Sequence, residues 1–104
     1  MKGMGNLGNL MKQAKRLQEE LARTQAEIAE MKVSATAGGG MVSATVNGRG
    51  DLAGLTIEQE VIDPEDSEML VDLIIAAVQE AQKDAREAAE KRLGPMAQGF
   101  GLQE

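Results

Sequence analysis

The sequence predicts an α+β subunit of the order α-β-β-β-α: a three-stranded antiparallel sheet flanked by two long helices, assembled as a homodimer. Three observations carry that expectation. Apolar residues recur at alternating three- and four-residue spacings from Leu7 to Met31. The period drops to two at Val33, between glycine-rich breaks. A Pro-led, acid-rich start at Asp63 then returns the chain to a helical pattern.

In the first segment, Leu7, Leu10, Ala14, Leu17, Leu21, Thr24, Ile28 and Met31 form a heptad seam with one polar interruption at Thr24. Gly3, Gly5, Asn6 and Gly8 weaken its start, which places the helix at about residues 9–32. Val33, Ala35 and Ala37 then alternate with Ser34 and Thr36. After Gly38-Gly39-Gly40, the residues Val42, Ala44 and Val46 alternate with Ser43 and Thr45. Asn47-Gly48 reads as a two-residue hairpin turn with positive φ at both positions. A third run, Leu52 to Ile62, is apolar at Leu55, Ile57, Val61 and Ile62, and Gly54 marks a bulge that resets its register.

Asp63 is placed to cap the second helix, Pro64 suits its first position, and Glu65, Asp66 and Glu68 favour its positive end. Apolar residues crowd its first half from Met69 to Val78, and alanines among charges follow. Gly94-Pro95 is the expected stop. The domain plan is therefore one folded domain over residues 1–93 and a flexible C-terminal tail over residues 94–104.

Helix and sheet dimensions point to self-association. A helix of about 24 residues is roughly 36 Å long, while three strands span only about 10–14 Å across and roughly 20–23 Å along. Such a sheet leaves apolar helix surface that a second copy would cover most simply. The expected interface is Leu70, Leu73, Ile74, Ala77 and Val78, on the apolar first half of the second helix.

Composition removes most chemistry. The 104 residues include no His and no Cys, which excludes imidazole bases, thiol nucleophiles, disulfides and the usual zinc, haem and iron–sulfur ligand sets. No catalytic residue, metal site, cofactor or small-molecule substrate is expected. Glu58, Glu60, Asp63, Glu65, Asp66 and Glu68 read as a solvated acidic turn, and the methionines as core filler. Gly5-Asn6-Leu7-Gly8 with Lys12 misses the spacing of a phosphate-binding loop, and no strand precedes it. The start has no apolar signal region, and the run Leu73–Val78 is too short to cross a bilayer. A cytoplasmic protein without membrane contact is the expectation.

Charge is the informative feature. The formal net charge is −6. Residues 1–18 nevertheless carry four bases, Lys2, Lys12, Lys15 and Arg16, and no acid; residues 58–104 carry four bases and twelve acids. Lys12, Lys15 and Arg16 stand near the expected positive end of their helix, and Lys12 with Arg16 is a like-charged i,i+4 pair, each at a cost of a few tenths of a kcal/mol. Lys12 and Arg16 share a stripe that Glu19, Glu20 and Arg23 extend. On charge alone, a solvated face explains it as well as an anionic partner does; a dimer would double the cluster.

A single aromatic residue, Phe100, argues against single-stranded nucleic acid gripped by stacking. Few base-reading side chains lie nearby, which favours duplex DNA held by its phosphates. An acidic dimeric scaffold that holds a protein partner through its helices is the alternative.

Several segments together resemble the YbaB/EbfC family of bacterial nucleoid-associated proteins. They are Met4-Gly5-Asn6-Leu7 running into Leu10-Met11-Lys12-Gln13-Ala14, Gly39-Gly40-Met41-Val42, Asn47-Gly48, and Leu70 through Val78. The likeness covers about residues 4–95. It implies a tight homodimer with projecting helices, a nucleoid location, duplex-DNA binding without catalysis, and roles in nucleoid organisation and gene regulation. The implied contacts map to Lys12, Lys15, Arg16 and Arg23, with Lys2, Lys83, Arg86, Lys91 and Arg92 second. Where family members often carry a base in the second strand, this chain has Ser43.

Overall fold

A computed structural model describes the backbone of residues 2–99 and the side chains of residues 6–96. The order is α1 (Lys2–Glu30), β1 (Val33–Ala37), β2 (Val42–Val46), β3 (Leu52–Ile57), two short 3-10 turns (Gln59–Val61 and Pro64–Asp66) and α2 (Ser67–Gly99). The α+β expectation holds.

The strands form one antiparallel sheet in the order β1-β2-β3, with Ala35 opposite Ala44 and Ala44 opposite Leu55. Period-two alternation puts Val42, Ala44 and Val46 wholly inside. It puts the hydroxyls of Ser34, Thr36, Ser43 and Thr45 on the other face, where Ser34 and Thr45 bond across the strands at 2.6 Å. The bulge lies where the glycine suggested: Thr45 faces Gly54 but Val46 faces Leu52, so Ala53 is the extra residue.

Helix α2 packs on β1 and β2 and leaves β3 largely bare. Its contact ridge is Ala77, Ala81 and Ala85, all completely buried. Alanines at i, i+4 and i+8 line up on one helix face, and their short side chains bring the helix axis close to the sheet. Leu70, Leu73, Ile74 and Val78 pack half-buried around this ridge. Asp63 caps the preceding turn, with its Oδ1 accepting from the Glu65 amide at 3.0 Å; Asp66 Oδ1 accepts from Met69 N at 3.4 Å.

Three local expectations need correction. Helix α1 starts at Lys2, not near Asn9, and ends at Glu30. Glycine weakens a helix by roughly 1 kcal/mol without ending it, and no proline interrupts this segment. Helix α2 runs through Gly94 and Pro95 to Gly99. A proline deletes one backbone hydrogen bond and crowds the preceding turn, and here it does so in the last turns of the helix, where the chain stays helical. Residues 100–104 lie outside the described residues.

The third correction concerns the hairpin. Neither Asn47 nor Gly48 has positive φ; Gly50 does, at 91°. The connection is a longer turn over residues 47–51, in which Asn47 Oδ1 accepts from the amides of Arg49 and Asp51 at 2.9 and 3.0 Å. Gly48 serves close approach instead. Its amide donates to the Ile28 carbonyl at 3.0 Å, and a Cβ there would lie 2.1 Å from that oxygen. The same carbonyl also accepts from the Met31 amide at 3.1 Å, and the Gly48 bond seats the C-terminal end of α1 on the turn after β2.

From that seat α1 projects. Every described residue from Asn6 to Arg16 is exposed. The radius of gyration is 20.9 Å and the extents are 79 × 25 × 16 Å, against about 13 Å expected for a compact chain of this length.

Candidate nucleic-acid interface

The projecting half of α1 has two faces. At about 100° per residue, Leu10, Ala14, Leu17 and Leu21 fall within about 60° of the bearing of Ile28, the residue that anchors the helix. Lys12, Arg16 and Arg23 cluster within about 40° of one another on the opposite side, and Lys15 lies close by. All four bases are exposed, and none lies within ion-pair distance of a carboxylate among the described residues. The bases thus face away from both the subunit's body and the apolar stripe.

The longer helix changes one part of the charge argument. With α1 starting at Lys2, residues 12–16 stand in its third and fourth turns, beyond the first-turn reach of the macrodipole. The expected dipole penalty disappears. What remains is the Lys12–Arg16 repulsion and a row of exposed bases that make no ion pair among the described residues, with Glu19 and Glu20 on the same stretch of helix.

The second-rank bases separate. Lys2 heads α1, and its side chain lies outside the described residues. Lys83 and Lys91 are exposed on α2. Arg92 is engaged: its Nη1 meets Glu27 Oε1 at 3.4 Å, the only ion pair among the described residues, tying the far end of α2 to the root of α1. Arg86 faces a groove of about 400 Å³ between α2 and the turn after β2, shared with Arg49, Gln82, Glu90 and Leu93.

Sequence reasoning passes over Arg49. It is a lone base inside Asn47-Gly48-Arg49-Gly50-Asp51, and turn composition alone gives it no partner. Its available signal is its position between two glycines, at the tip of a turn.

The five residues expected at a dimer interface all belong to the layer between α2 and its own sheet, Ala77 fully buried and the others half-buried. The apolar side chains left uncovered are their neighbours. On α2, Val71 and Ile75 are 51% and 47% exposed; on β3, Leu52 and Leu55 are 52% and 40% exposed. Val71, Ile75 and Val78 share a helix stripe with Gln82, whose Nε2 donates to the Gly50 carbonyl at 3.0 Å in the turn leading to β3. That flank of α2 is the one turned toward the β3 side of the sheet. Among the described residues no helix is long and apolar enough to cross a membrane, and no group of acidic side chains is arranged to hold a metal ion.

Residues 4–100 match the YbaB/EbfC DNA-binding family. A Streptomyces avermitilis protein named "Nucleoid-associated protein" is 46% identical over 99 residues, covering 95% of this chain and 88% of that one. A protein of the same name from Alkaliphilus metalliredigens is 42% identical over 102 residues, covering 98% and 90%. The crystal structure of an uncharacterized protein from Helicobacter pylori superposes with a TM-score of 0.71 at 26% identity, covering 86% of this chain and 91% of that one.

Proposed function

The chain belongs to the YbaB/EbfC DNA-binding family, and from that premise we propose that it is a nucleoid-associated protein which binds duplex DNA as a homodimer, chiefly through phosphates. The observation that carries this reading is the basic face of α1, where Lys12, Lys15, Arg16 and Arg23 stand free of carboxylate partners on a helix that leaves the subunit. Phosphate contacts of this kind set affinity and orientation with little sequence information. The relatives' shared name supports a nucleoid location; roles in nucleoid organisation and gene regulation are part of the proposal.

Dimerisation is supported by the apolar surface that the subunit leaves open. Val71 and Ile75 on α2, Leu52 and Leu55 on β3, and Leu10 and Leu21 on α1 are large apolar side chains left exposed, the kind of surface that marks an interface where it is contiguous. A partner seated there extends the layer of Leu70, Leu73, Ile74, Ala77 and Val78 and leaves the basic face of α1 outward. Self-association presents the basic residues twice.

Titration of a labelled duplex across salt concentration tests the reading. If Lys12, Lys15 and Arg16 of both subunits neutralise about four to six phosphates, the logarithm of affinity falls against the logarithm of salt with a slope of about −4 to −5. Changing all three to Glu abolishes binding at moderate salt and leaves helix content intact. Binding that survives the change moves the contact to Arg23, Lys83, Arg86 and Lys91. Absence of duplex binding by the unaltered protein at low salt favours an acidic scaffold for a protein partner.

A further inference from the structure

The turn after β2 is held more firmly than a surface connection requires. Each of its five amides has a partner: Asn47 N donates to Asp51 O, Gly48 N to Ile28 O, Gly50 N to Asn47 O, and Arg49 N and Asp51 N to Asn47 Oδ1, all at 2.9–3.0 Å. Gln82 clamps the turn to α2 through the Gly50 carbonyl at 3.0 Å. The side chain at the centre of this framework, Arg49, is exposed and makes no hydrogen bond or ion pair among the described residues. Four residues along α2 from Gln82, Arg86 faces the same groove and is likewise unpaired. Two guanidiniums from separate elements thus line one concavity, each on a fixed backbone.

We propose that this groove seats one backbone phosphate of duplex DNA between Arg49 and Arg86. Guanidinium is the side chain best matched to phosphate oxygens, and a pre-set backbone lowers the ordering cost of the contact. Gly48 and Gly50 place no side chain beside Arg49, and a groove of about 400 Å³ has room for a phosphate with its flanking sugar. Glu90 lines the groove too, leaving it one net positive charge, which suits a monoanionic phosphodiester better than a dianionic phosphate. The groove lies beside the turn that receives the C-terminal end of α1, so the contact it adds is on the body of the subunit, distinct from the outward row of Lys12, Arg16 and Arg23. The inference rests on the duplex-binding reading and adds to it a contact that sequence position alone does not suggest.

Fluorescence anisotropy with a labelled duplex at about 0.1 M salt, on the unaltered protein, Arg49→Gln, Arg86→Gln and the double variant, tests it. Each single change removes the contact from both subunits of the dimer, so it weakens binding about sixtyfold, the weight of two released phosphates at that salt, and makes the salt slope shallower by about two. The double variant binds about as well as either single one, because both arginines hold the same phosphate. A double variant weakened about sixtyfold beyond either single one means two separate contacts and overturns the shared seat; unchanged affinity in the single variants overturns the site. Lys12→Gln in the same assay separates the two readings. If it weakens binding and Arg49→Gln does not, the basic face stands and the groove falls. Should the unaltered protein bind no duplex, dimethyl phosphate is titrated while the Gly48 and Gly50 amide and arginine Nε resonances are followed. Shifts that vanish in Arg49→Gln keep the groove as a phosphodiester site, and their absence removes it.

Discussion

Gly48→Ala is the sharpest test of how α1 is held. The added Cβ would lie 2.1 Å from the Ile28 carbonyl oxygen, 2.6 Å from Ile28 Cγ2 and 2.8 Å from the Ile28 carbonyl carbon. Two of these three atoms are backbone, so no rotamer change relieves the overlap. Reaching an ordinary contact of about 3.5 Å requires the helix end and the turn to part by about 1 Å or more. The Gly48–Ile28 hydrogen bond, 3.0 Å in the native arrangement, is then broken. Its loss costs about 1 kcal/mol and the overpacking about 1–3 kcal/mol, together about 2–4 kcal/mol. At about 4–8 °C per kcal/mol, the melting temperature falls by about 10–30 °C. Gly8→Ala supplies the internal control: its Cβ meets nothing within 4 Å on an exposed helix, and the change raises stability by up to about 1 kcal/mol. Circular dichroism melts of the two variants should move in opposite directions. A Gly48→Ala melt within about 3 °C of the unaltered protein would refute the close approach at Ile28.

Ala81→Leu enlarges the centre of the fully buried alanine ridge and should cost at least about 1–3 kcal/mol, read as a lowered midpoint in urea. Asp63→Ala removes the acceptor for the Glu65 amide; a loss of about 1 kcal/mol in thermal unfolding is expected. Ile75→Asp alters an exposed side chain, so the subunit keeps its helix content. On a sizing column with light scattering, its mass should drop from twice 11.0 kDa to 11.0 kDa. The triple Glu change at Lys12, Lys15 and Arg16 should abolish duplex binding while lowering stability by only about 1 kcal/mol, because the residues lie beyond the reach of the helix dipole and the new like-charged i,i+4 pairs with Glu19 and Glu20 each cost a few tenths of a kcal/mol.

The parts of the fold legible in the sequence are those fixed by periodicity. The alternation at Val33–Ala37 and Val42–Val46 matches the observed strands residue for residue, because a sheet with one buried face admits no other register. The α1 seam and the capping role of Asp63 are equally local signals. What escaped depends on contacts distant in the chain. Asn47-Gly48 looks like a tight turn, but the need for glycine comes from Ile28, twenty residues away. Pro95 looks like a stop, yet the helix continues through it. The same holds for the site: the basic face of α1 is visible in i,i+4 spacing, whereas Arg49 shares a groove with Arg86 only after the sheet brings the turn to α2.

The seat of α1 also acts as the fulcrum of a lever. The helix is fastened near its C-terminal end, by the Gly48–Ile28 bond and the exposed Arg92–Glu27 pair, while Lys12 stands about 24 Å farther out along the axis. Leverage multiplies angle into reach. A tilt of about 10° at the fulcrum carries Lys12 through about 4 Å, slightly more than the ~3.4 Å axial rise from one nucleotide to the next along a strand. Arg23, about 8 Å from the fulcrum, moves only about a third as far. The pitch of this one helix therefore decides which phosphate the outermost bases meet, while contacts near the root keep their register, so a half-ångström of slack at Gly48 is felt at the tip as a change in the span of DNA that fits.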